Sequence, residues 1–530
     1  MQKQSEIADI KIFHDAKRNV VIYDHLPDVD TFLKRVDSGV RLSNGYVAAP
    51  ATTYNLQMAR FLGLPSLPPL ELARYDYPGR YTPFSAQRVT ANFLVLHPRA
   101  FVLSDMGTGK TLAALWASDF IMSSSPGTSA LVVAPLSTLH RVWSDAIFEN
   151  FLGRRTCAVL HGSKQQRRAL LAKPADFYVI NPEGLDVLYR ELSLEARPDI
   201  QIIIADEASM FKDRTTTRHL NARKLLKPRN YLWLMSGTPT PNAPTDAYGL
   251  AKLVNDAQGE SFASFKNRTM MQFNQFVWKP RQGAHHEVHR LLQPSVRFSI
   301  DDCVDLPPCT TQRRQVELSD GQKKAYRDLK HDYVLMTKNG PITAMNEAVL
   351  RNKLIQLSAG AIYGEGRAIT HVDASPRIKA LREVMEACRE KIIIFAPLTS
   401  VITMLSQELK DYSIGIVRGS SDDGPSNKER NETLTKFMSE EKPRVLIAHP
   451  RTMAHGLTLT AATTIVWYAP IDSTELYLQA NRRINRPGQT KAATIVQLTS
   501  TPIETEIYRR LEHNESLQGS MLALAKGGFE

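Results

Sequence analysis

The run Ser104-Asp-Met-Gly-Thr-Gly-Lys-Thr111 lies between an apolar stretch, Phe101 to Leu103, and a segment opening Leu112-Ala-Ala-Leu, so it reads as a glycine loop joining a strand to a helix. Loops of this composition hold phosphate. Gly107 and Gly109, with Thr108 between them, let backbone amides turn toward phosphate oxygens, and the helix N-terminus adds partial positive charge. Lys110 is placed to reach the β- and γ-phosphates, and the Thr111 hydroxyl to ligate Mg²⁺. Further along, the apolar run Ile202 to Ala205 ends in Asp206-Glu207-Ala208-Ser209. Two adjacent carboxylates then stand at the C-terminal edge of a parallel strand, where ligands bind in α/β folds. Asp206 suits a magnesium ligand, and Glu207 suits the group that orients or deprotonates an attacking water. The implied chemistry is transfer of a phosphoryl group from ATP to water.

That transfer gains from a cation on the developing charge. Gln479, Arg483 and Arg486 are spaced i, i+4 and i+7, which predicts one shared helix face ended by Pro487-Gly488, with Arg482 pointing elsewhere. Lys110 and Arg483 are too far apart in sequence for one RecA-sized unit. The arginines are therefore expected on a second lobe facing the first, so that hydrolysis depends on closure. Each segment alone has a plainer reading: a chance glycine turn, a solvated acidic turn, a solvated basic helix. Their order along the chain is what points to a site.

The elements that must carry these residues are legible as short runs of branched apolar side chains: Phe101 to Leu103, Leu131 to Ala134, Ile202 to Ala205, Ile392 to Phe395, Val445 to Ala448 and Ile465 to Trp467. They predict buried parallel strands. Amphipathic stretches such as Lys110 to Met122 and Thr399 to Leu409 separate them as crossover helices. Two such α/β blocks, about 80–255 and 375–515, flank a more helical middle. There Ser319-Asp-Gly-Gln322 has the form of a capping box, Lys323 to Lys338 keeps a helical period, and Asn339-Gly-Pro341 supplies a stop. Arg281 to Glu287, with His285-His286, and Leu306-Pro-Pro308 read as exposed connections, and the two histidines as solvated rather than metal-bound. The N-terminal piece offers strands at Val20 to Tyr23 and Gly45 to Ala49 and a helix at Tyr54 to Leu62.

Lysine and arginine total 66 against 54 acidic residues, a net charge of +12 that fits a polyanionic partner such as nucleic acid, or simply a basic surface. The four cysteines form no C-x-x-C pair, so structural zinc is not expected. No secretory leader is visible, and no apolar run approaches the ~18 residues of a membrane span. The expected location is cytoplasmic, the host cytoplasm if the chain is viral.

Taken in order, these segments resemble superfamily-2 helicases of the Swi/Snf type over about residues 80–520. Pro83-Phe-Ser-Ala-Gln87 is similar to the adenine-reading segment, with Gln87 in the reading position. Leu131-Val-Val-Ala-Pro135-Leu-Ser137 resembles the strand and turn that touch a nucleic-acid backbone, and Ser236-Gly237-Thr238-Pro239 the element that couples hydrolysis to lobe movement. Val316 to Tyr326 followed by Leu350 to Gln356 resembles the opening and helical insertion of the second lobe in Swi/Snf-type proteins. His455-Gly456-Leu-Thr-Leu459 and Gln479 to Gln489 resemble the last two helicase motifs, in the compact form of bacteriophage relatives. Three positions depart from the family pattern: Ser209 after Asp-Glu-Ala, Thr458 where Asn is common, and Asp105-Met at the phosphate loop.

The resemblance implies an α/β chain of two tandem RecA-like lobes with helical insertions and a small N-terminal α+β accessory domain. The expected boundaries are 1–78 for the accessory domain, 79–300 for lobe 1 with an insertion at 256–295, 301–516 for lobe 2 with a helical insertion at 319–370, and a tail at 517–530. Lys110, Glu207, Arg483 and Arg486 would be catalytic. Gln87, Gly107, Thr108, Gly109, Lys110, Thr111, Asp206, Gly456 and Gln479 would hold ATP, with Mg²⁺ on Thr111 and Asp206. Pro135 and Ser137 would contact DNA, joined by Arg41 and Tyr46 (with Lys34 nearby) unless the N-terminal aromatics are core and the piece only packs on lobe 1. The implied activity is ATP-driven translocation on duplex, forked or branched DNA in replication, recombination or repair, with replication or recombination proteins as further partners. The alternatives are a strand-separating helicase and, in another class, a non-hydrolysing DNA clamp. With both lobes in one chain, a monomer could be catalytically complete.

Overall fold

The computed structural model describes residues 10–241, 243–272, 278–338, 344–364, 368–418, 427–453, 458–471 and 473–512. The chain divides into two compact units at Cys303/Val304. Among the described residues, no helix is long and apolar enough to cross a membrane.

The first unit is built on a seven-stranded parallel sheet in the order Ser295–Val296, Arg99–Val102, Tyr231–Met235, Ile200–Ala205, Ser129–Val133, Phe177–Ile180, Cys157–Val159. Alternate residues of each strand feed opposite faces, which is why both faces need cover. Phe101, Leu131, Val133, Ile203 and Leu234 enter one core. Ala100, Val102, Val132, Ile202, Ile204 and Trp233 enter the other, beneath the helix Lys110–Ser124 and its buried Trp116. Burial on both faces explains why these strands read as unbroken apolar runs rather than alternating ones.

The segment expected as an exposed connection after Arg281 is instead a helix, Ala284–Leu291, and His285-His286 lie in its first turn rather than in a loop. Gly283 enters it with φ of +77°, and Ala284, Val288 and Leu291, at i, i+4 and i+7, are buried on one face. That apolar spacing outweighs the polar tripeptide His-His-Glu.

The N-terminal piece is a four-stranded antiparallel sheet ordered Ile12–Asp15, Val20–Tyr23, Val47–Pro50, Val40–Arg41, with helices Val29–Arg35 and Thr53–Phe61. Tyr23 and Phe32 meet edge to face in its core, their rings 5.3 Å apart. It rests on the rest of the first unit: Gln57 Nε2 donates to the Val95 carbonyl at 2.6 Å, and Leu96 packs against its core.

The second unit carries a six-stranded parallel sheet in the order Cys309–Gln315, Ala493–Thr499, Ala462–Trp467, Lys391–Phe395, Val445–Ala448, Ile414–Val417. The capping box before the helix Asp320–Lys338 is present. The Gln322 amide donates to the Ser319 hydroxyl at 3.3 Å and the Ser319 amide to Gln322 Oε1 at 3.1 Å. Beneath the sheet, Arg377 and Glu504, 1% and 0% exposed, pair at 2.8 Å. Arg377 also donates to the Tyr468 and Leu498 carbonyls, and the Ser358 hydroxyl donates to Glu504. The stop expected at 339–341 and the tail 517–530 lie outside the described residues.

Candidate active site

Four adjacent strands of the first sheet end on one edge, and each hands over to a segment singled out in the sequence. Arg99–Val102 leads to Ser104–Thr111, Tyr231–Met235 to Ser236–Thr238, Ile200–Ala205 to Asp206-Glu207, and Ser129–Val133 to Pro135–Ser137. Parallel strands make this convergence automatic, because all their C-terminal ends face the same way.

The phosphate loop turns on Gly107 and Gly109, with φ of +90° and +79°. Gly109 is constrained a second way: a Cβ there would lie 1.9 Å from Gln87 Nε2, which donates to the Gly109 carbonyl at 3.3 Å. Gln87 Oε1 accepts from the Phe84 amide at 2.8 Å, so this one side chain both starts its own helix, Ser85–Leu96, and braces the loop. Lys110 Nζ donates to the carbonyls of Ser104 at 2.7 Å and Asp105 at 2.9 Å, and the Thr108 hydroxyl donates to Asp105 O at 2.8 Å. The loop is thus curled around its own lysine, which a phosphate oxygen can take over. Ser104 is buried, and its hydroxyl accepts from the Phe298 amide at 3.0 Å. Thr111, partly buried, follows at the first turn of the helix.

Asp206 and Glu207 stand at the end of their strand. The Asp206 amide donates to Val133 O at 2.9 Å, its Oδ1 accepts from the Glu207 amide at 3.0 Å, and its Oδ2 accepts from Trp143 Nε1 at 3.0 Å. Burial pushes the Asp206 carboxyl up, opposed by the Trp143 hydrogen bond and by Lys110. Burial pushes the Lys110 ammonium down, opposed by Glu207, Asp206 and Asp105. In both, burial outweighs the attraction, so each charge offsets only part of the cost of burying the other. Glu207 has φ of +50°, a left-handed backbone uncommon outside glycine. Strain of this kind, about 1–3 kcal/mol, persists where the surroundings enforce it and clusters at functional positions.

Ser236–Thr238 packs directly on the loop. The Ser236 amide donates to Val102 O at 3.0 Å, the Thr238 amide to the Ser236 hydroxyl at 3.1 Å, and a Cβ on Gly237 would lie 3.4 Å from the Met106 side chain. Ser209, Ser236 and Thr238 are all buried. Pro135 is partly buried and Ser137 exposed. On the N-terminal sheet, Tyr46 is partly buried, and Arg41 is exposed on the edge strand, 3.6 Å from Asp30.

In the second unit, the expected single helical face across Gln479, Arg483 and Arg486 is not what forms. The helix is Thr474–Asn481 and closes at Arg482, whose amide bonds both Leu478 O and Ala480 O. The residues after it are held elsewhere. Trp467 Nε1 donates to Asn481 Oδ1 at 2.8 Å, the Leu459 amide to Arg483 O at 3.0 Å, and Gln489 Nε2 to the Ala462 and Ile484 carbonyls. Arg483 and Arg486 therefore lie on a turn pinned by its backbone. Gln479 is fully buried and Arg483 nearly so, while burial pushes the Arg486 guanidinium down. Gly456 lies outside the described residues.

Two participants escaped the sequence reading. Trp143 looks like one more core aromatic until its indole is seen on Asp206. Arg297 follows the two-residue strand Ser295–Val296. It is 5% exposed, sits within electrostatic reach of Asp105 and Lys110, and has its guanidinium pushed down by burial. The Asp105 amide donates to Phe298 O at 2.9 Å, so this segment forms one wall of the phosphate loop.

A phosphate loop and an acidic pair at the same edge of one parallel sheet, on strands that flank Tyr231–Met235, define the class: a P-loop ATPase of the helicase type, with a second parallel-sheet unit in the same chain. Residues 91–360 match the SNF2-related domain, and residues 376–488 the helicase conserved C-terminal domain. The first match covers just over half the chain, which therefore belongs to the SNF2-related family of superfamily-2 helicase ATPases. It is similar to putative protein p41 of Acyrthosiphon pisum secondary endosymbiont phage 1, at 26% identity over 78% of this chain and 90% of that protein. It is also similar to the SWI/SNF-related matrix-associated actin-dependent regulator of chromatin subfamily A-like protein 1 of Xenopus tropicalis, at 25% identity over 82% of this chain and 44% of the frog protein. The chain thus spans less than half the length of that relative. Among solved structures, the Sulfolobus solfataricus SWI2/SNF2 ATPase core in complex with dsDNA aligns over 85% of this chain and 96% of its own, at 18% identity and a TM-score of 0.40.

Proposed function

We propose that this chain binds ATP with Mg²⁺ and couples its hydrolysis to movement along duplex or branched DNA. The observation that carries the reading is the arrival of Lys110, Asp206-Glu207, Ser236–Thr238 and Pro135–Ser137 at the ends of four adjacent strands. Nucleotide ligands and backbone-contacting residues then share one rigid edge.

Lys110 releases the Ser104 and Asp105 carbonyls to take the β- and γ-phosphates, while the loop amides around Gly107, Thr108 and Gly109 cradle them. Thr111 and Asp206 supply hard oxygen donors of the kind Mg²⁺ takes alongside nucleotide phosphates, and the ion neutralises phosphate charge. Glu207 orients the attacking water and accepts its proton. Arg483 and Arg486 act on the charge that develops at the transferred group, and Gln87 reads the base. Ser236–Thr238, packed against Met106 of the loop, carry the nucleotide state outward. Pro135 and Ser137 meet the DNA backbone, with Arg41 and Tyr46 as an auxiliary grip. Phosphate contacts give the affinity, so binding weakens steeply with salt.

Steady-state ATP hydrolysis without nucleic acid, then with single-stranded, duplex or forked DNA or RNA, tests the reading, with Glu207→Gln as control. Stimulation by duplex or forked DNA supports it; stimulation by RNA alone, or normal turnover by Glu207→Gln, overturns it.

A further inference from the structure

Asp206 is attached at two points to one short stretch of chain. Its amide is bonded to Val133, the last residue of the strand Ser129–Val133, and its carboxylate is bonded to Trp143. Between these anchors the chain leaves the sheet at Ala134 and Pro135 and forms a tight turn, Leu136–Thr138. There the Thr138 amide and hydroxyl both donate to Pro135 O, at 2.9 and 2.8 Å. It then widens into a π-helical turn, Leu139–Ser144, before the helix Asp145–Phe151. Leu136 and Ser137 are exposed at the apex of the tight turn and His140 is exposed further on, whereas Thr138, Leu139 and Trp143 are buried, Trp143 completely. A π turn gives up good hydrogen-bond geometry and survives mostly where function needs the displaced side chain. Here that side chain is Trp143. Its ring lies in the apolar core with Val132, Leu139, Ile147 and Phe151, so the indole cannot follow Asp206 independently of this segment.

We propose that Trp143 is a positioning residue: its indole N–H sets the Asp206 carboxylate, and because Trp143 and the exposed Leu136-Ser137 apex belong to one stretch attached to Asp206 at both ends, it ties that setting to the apex. A strand of nucleic acid seated on the apex would shift the π turn and, through it, the carboxylate beside the nucleotide. The first half of this inference concerns the metal-nucleotide alone. The second rests on the DNA reading above.

The test uses the full-length chain with Trp143→Phe, which keeps an aromatic ring and loses the donor. A second variant carries β-(3-benzothienyl)alanine at 143, which keeps the shape of tryptophan without the N–H and removes any doubt about packing. The readout besides activity is affinity for a fluorescent ADP analogue with and without Mg²⁺. Both variants should lose about tenfold of the affinity that magnesium adds, the lower end of the range for removing a hydrogen bond behind a metal ligand, with affinity in EDTA unchanged. On an Asp206→Asn background the Trp143 change should add nothing further, since the effect runs through that carboxylate. The ratio of DNA-stimulated to unstimulated hydrolysis should fall by about threefold or more. A wild-type magnesium contribution in the benzothienyl variant overturns the positioning role. A reduced magnesium contribution with an unchanged stimulation ratio overturns the tie to the apex. If the wild type itself responds to no DNA, the proposed function fails, and with it the tie, while the magnesium comparison still decides the role of Trp143 on Asp206.

Discussion

The two parallel sheets present charged side chains in different ways. In the first unit the key groups gather at the C-terminal edge of the sheet and are fixed by side-chain contacts: Lys110 on two carbonyls, Asp206 on Trp143, Gln87 on Gly109. In the second, Arg483 and Arg486 follow a helix on a turn fixed through its backbone, by Leu459 and by Gln489. The first arrangement specifies where each functional atom stands before any ligand arrives. The second sets the path of a turn that carries two largely buried cationic side chains.

Substitutions can break this contrast. Lys110→Ala should abolish nucleotide binding, seen as loss of fluorescent-nucleotide affinity, and with it all hydrolysis. Glu207→Gln should leave ATP binding intact and slow turnover by about 10⁴, the upper end for a positioned general base, measured by single-turnover kinetics. Arg486→Ala should slow turnover by about 10³, the lower end for an arginine finger, with a modest change in ATP affinity. Equal losses of affinity in all three would erase the distinction between the two units. The buried pair of the second unit sharpens it from the other side. Arg377→Leu leaves Glu504 buried without its cation and should cost about 3–5 kcal/mol of stability, read as a lower Tm of the second transition in calorimetry, with little effect on nucleotide affinity.

The fold class was readable because strands buried on both faces are nearly continuous apolar runs, as at Ile200–Ala205 and Lys391–Phe395. Where a strand lacks that signature, the sequence is silent. Cys309–Gln315 consists of Cys-Thr-Thr-Gln-Arg-Arg-Gln and lies mostly exposed on a sheet edge, stabilised by its ladder to Ala493–Thr499 rather than by burial. The helical period across Gln479 to Arg486 misled for a related reason. Periodicity ignores long-range anchors, and Asn481 and Gln489 are both claimed by the neighbouring sheet. Trp143 and Arg297 were illegible because their meaning depends on partners remote in sequence. An aromatic in an apolar segment and an arginine after a two-residue strand carry no local mark of a phosphate site.

The close approach of Gln87 to Gly109 bears on how this molecule can change over generations. A Cβ at position 109 would sit on a backbone with φ of +79° and 1.9 Å from Gln87 Nε2, so a larger residue there strains the loop and pushes the Gln87 amide away, and shortening Gln87 alone removes the brace that the loop carbonyl uses. The two positions are physically coupled. A lineage leaves this arrangement only by passing through an intermediate with a weakened loop, so the pair should drift together or stay put.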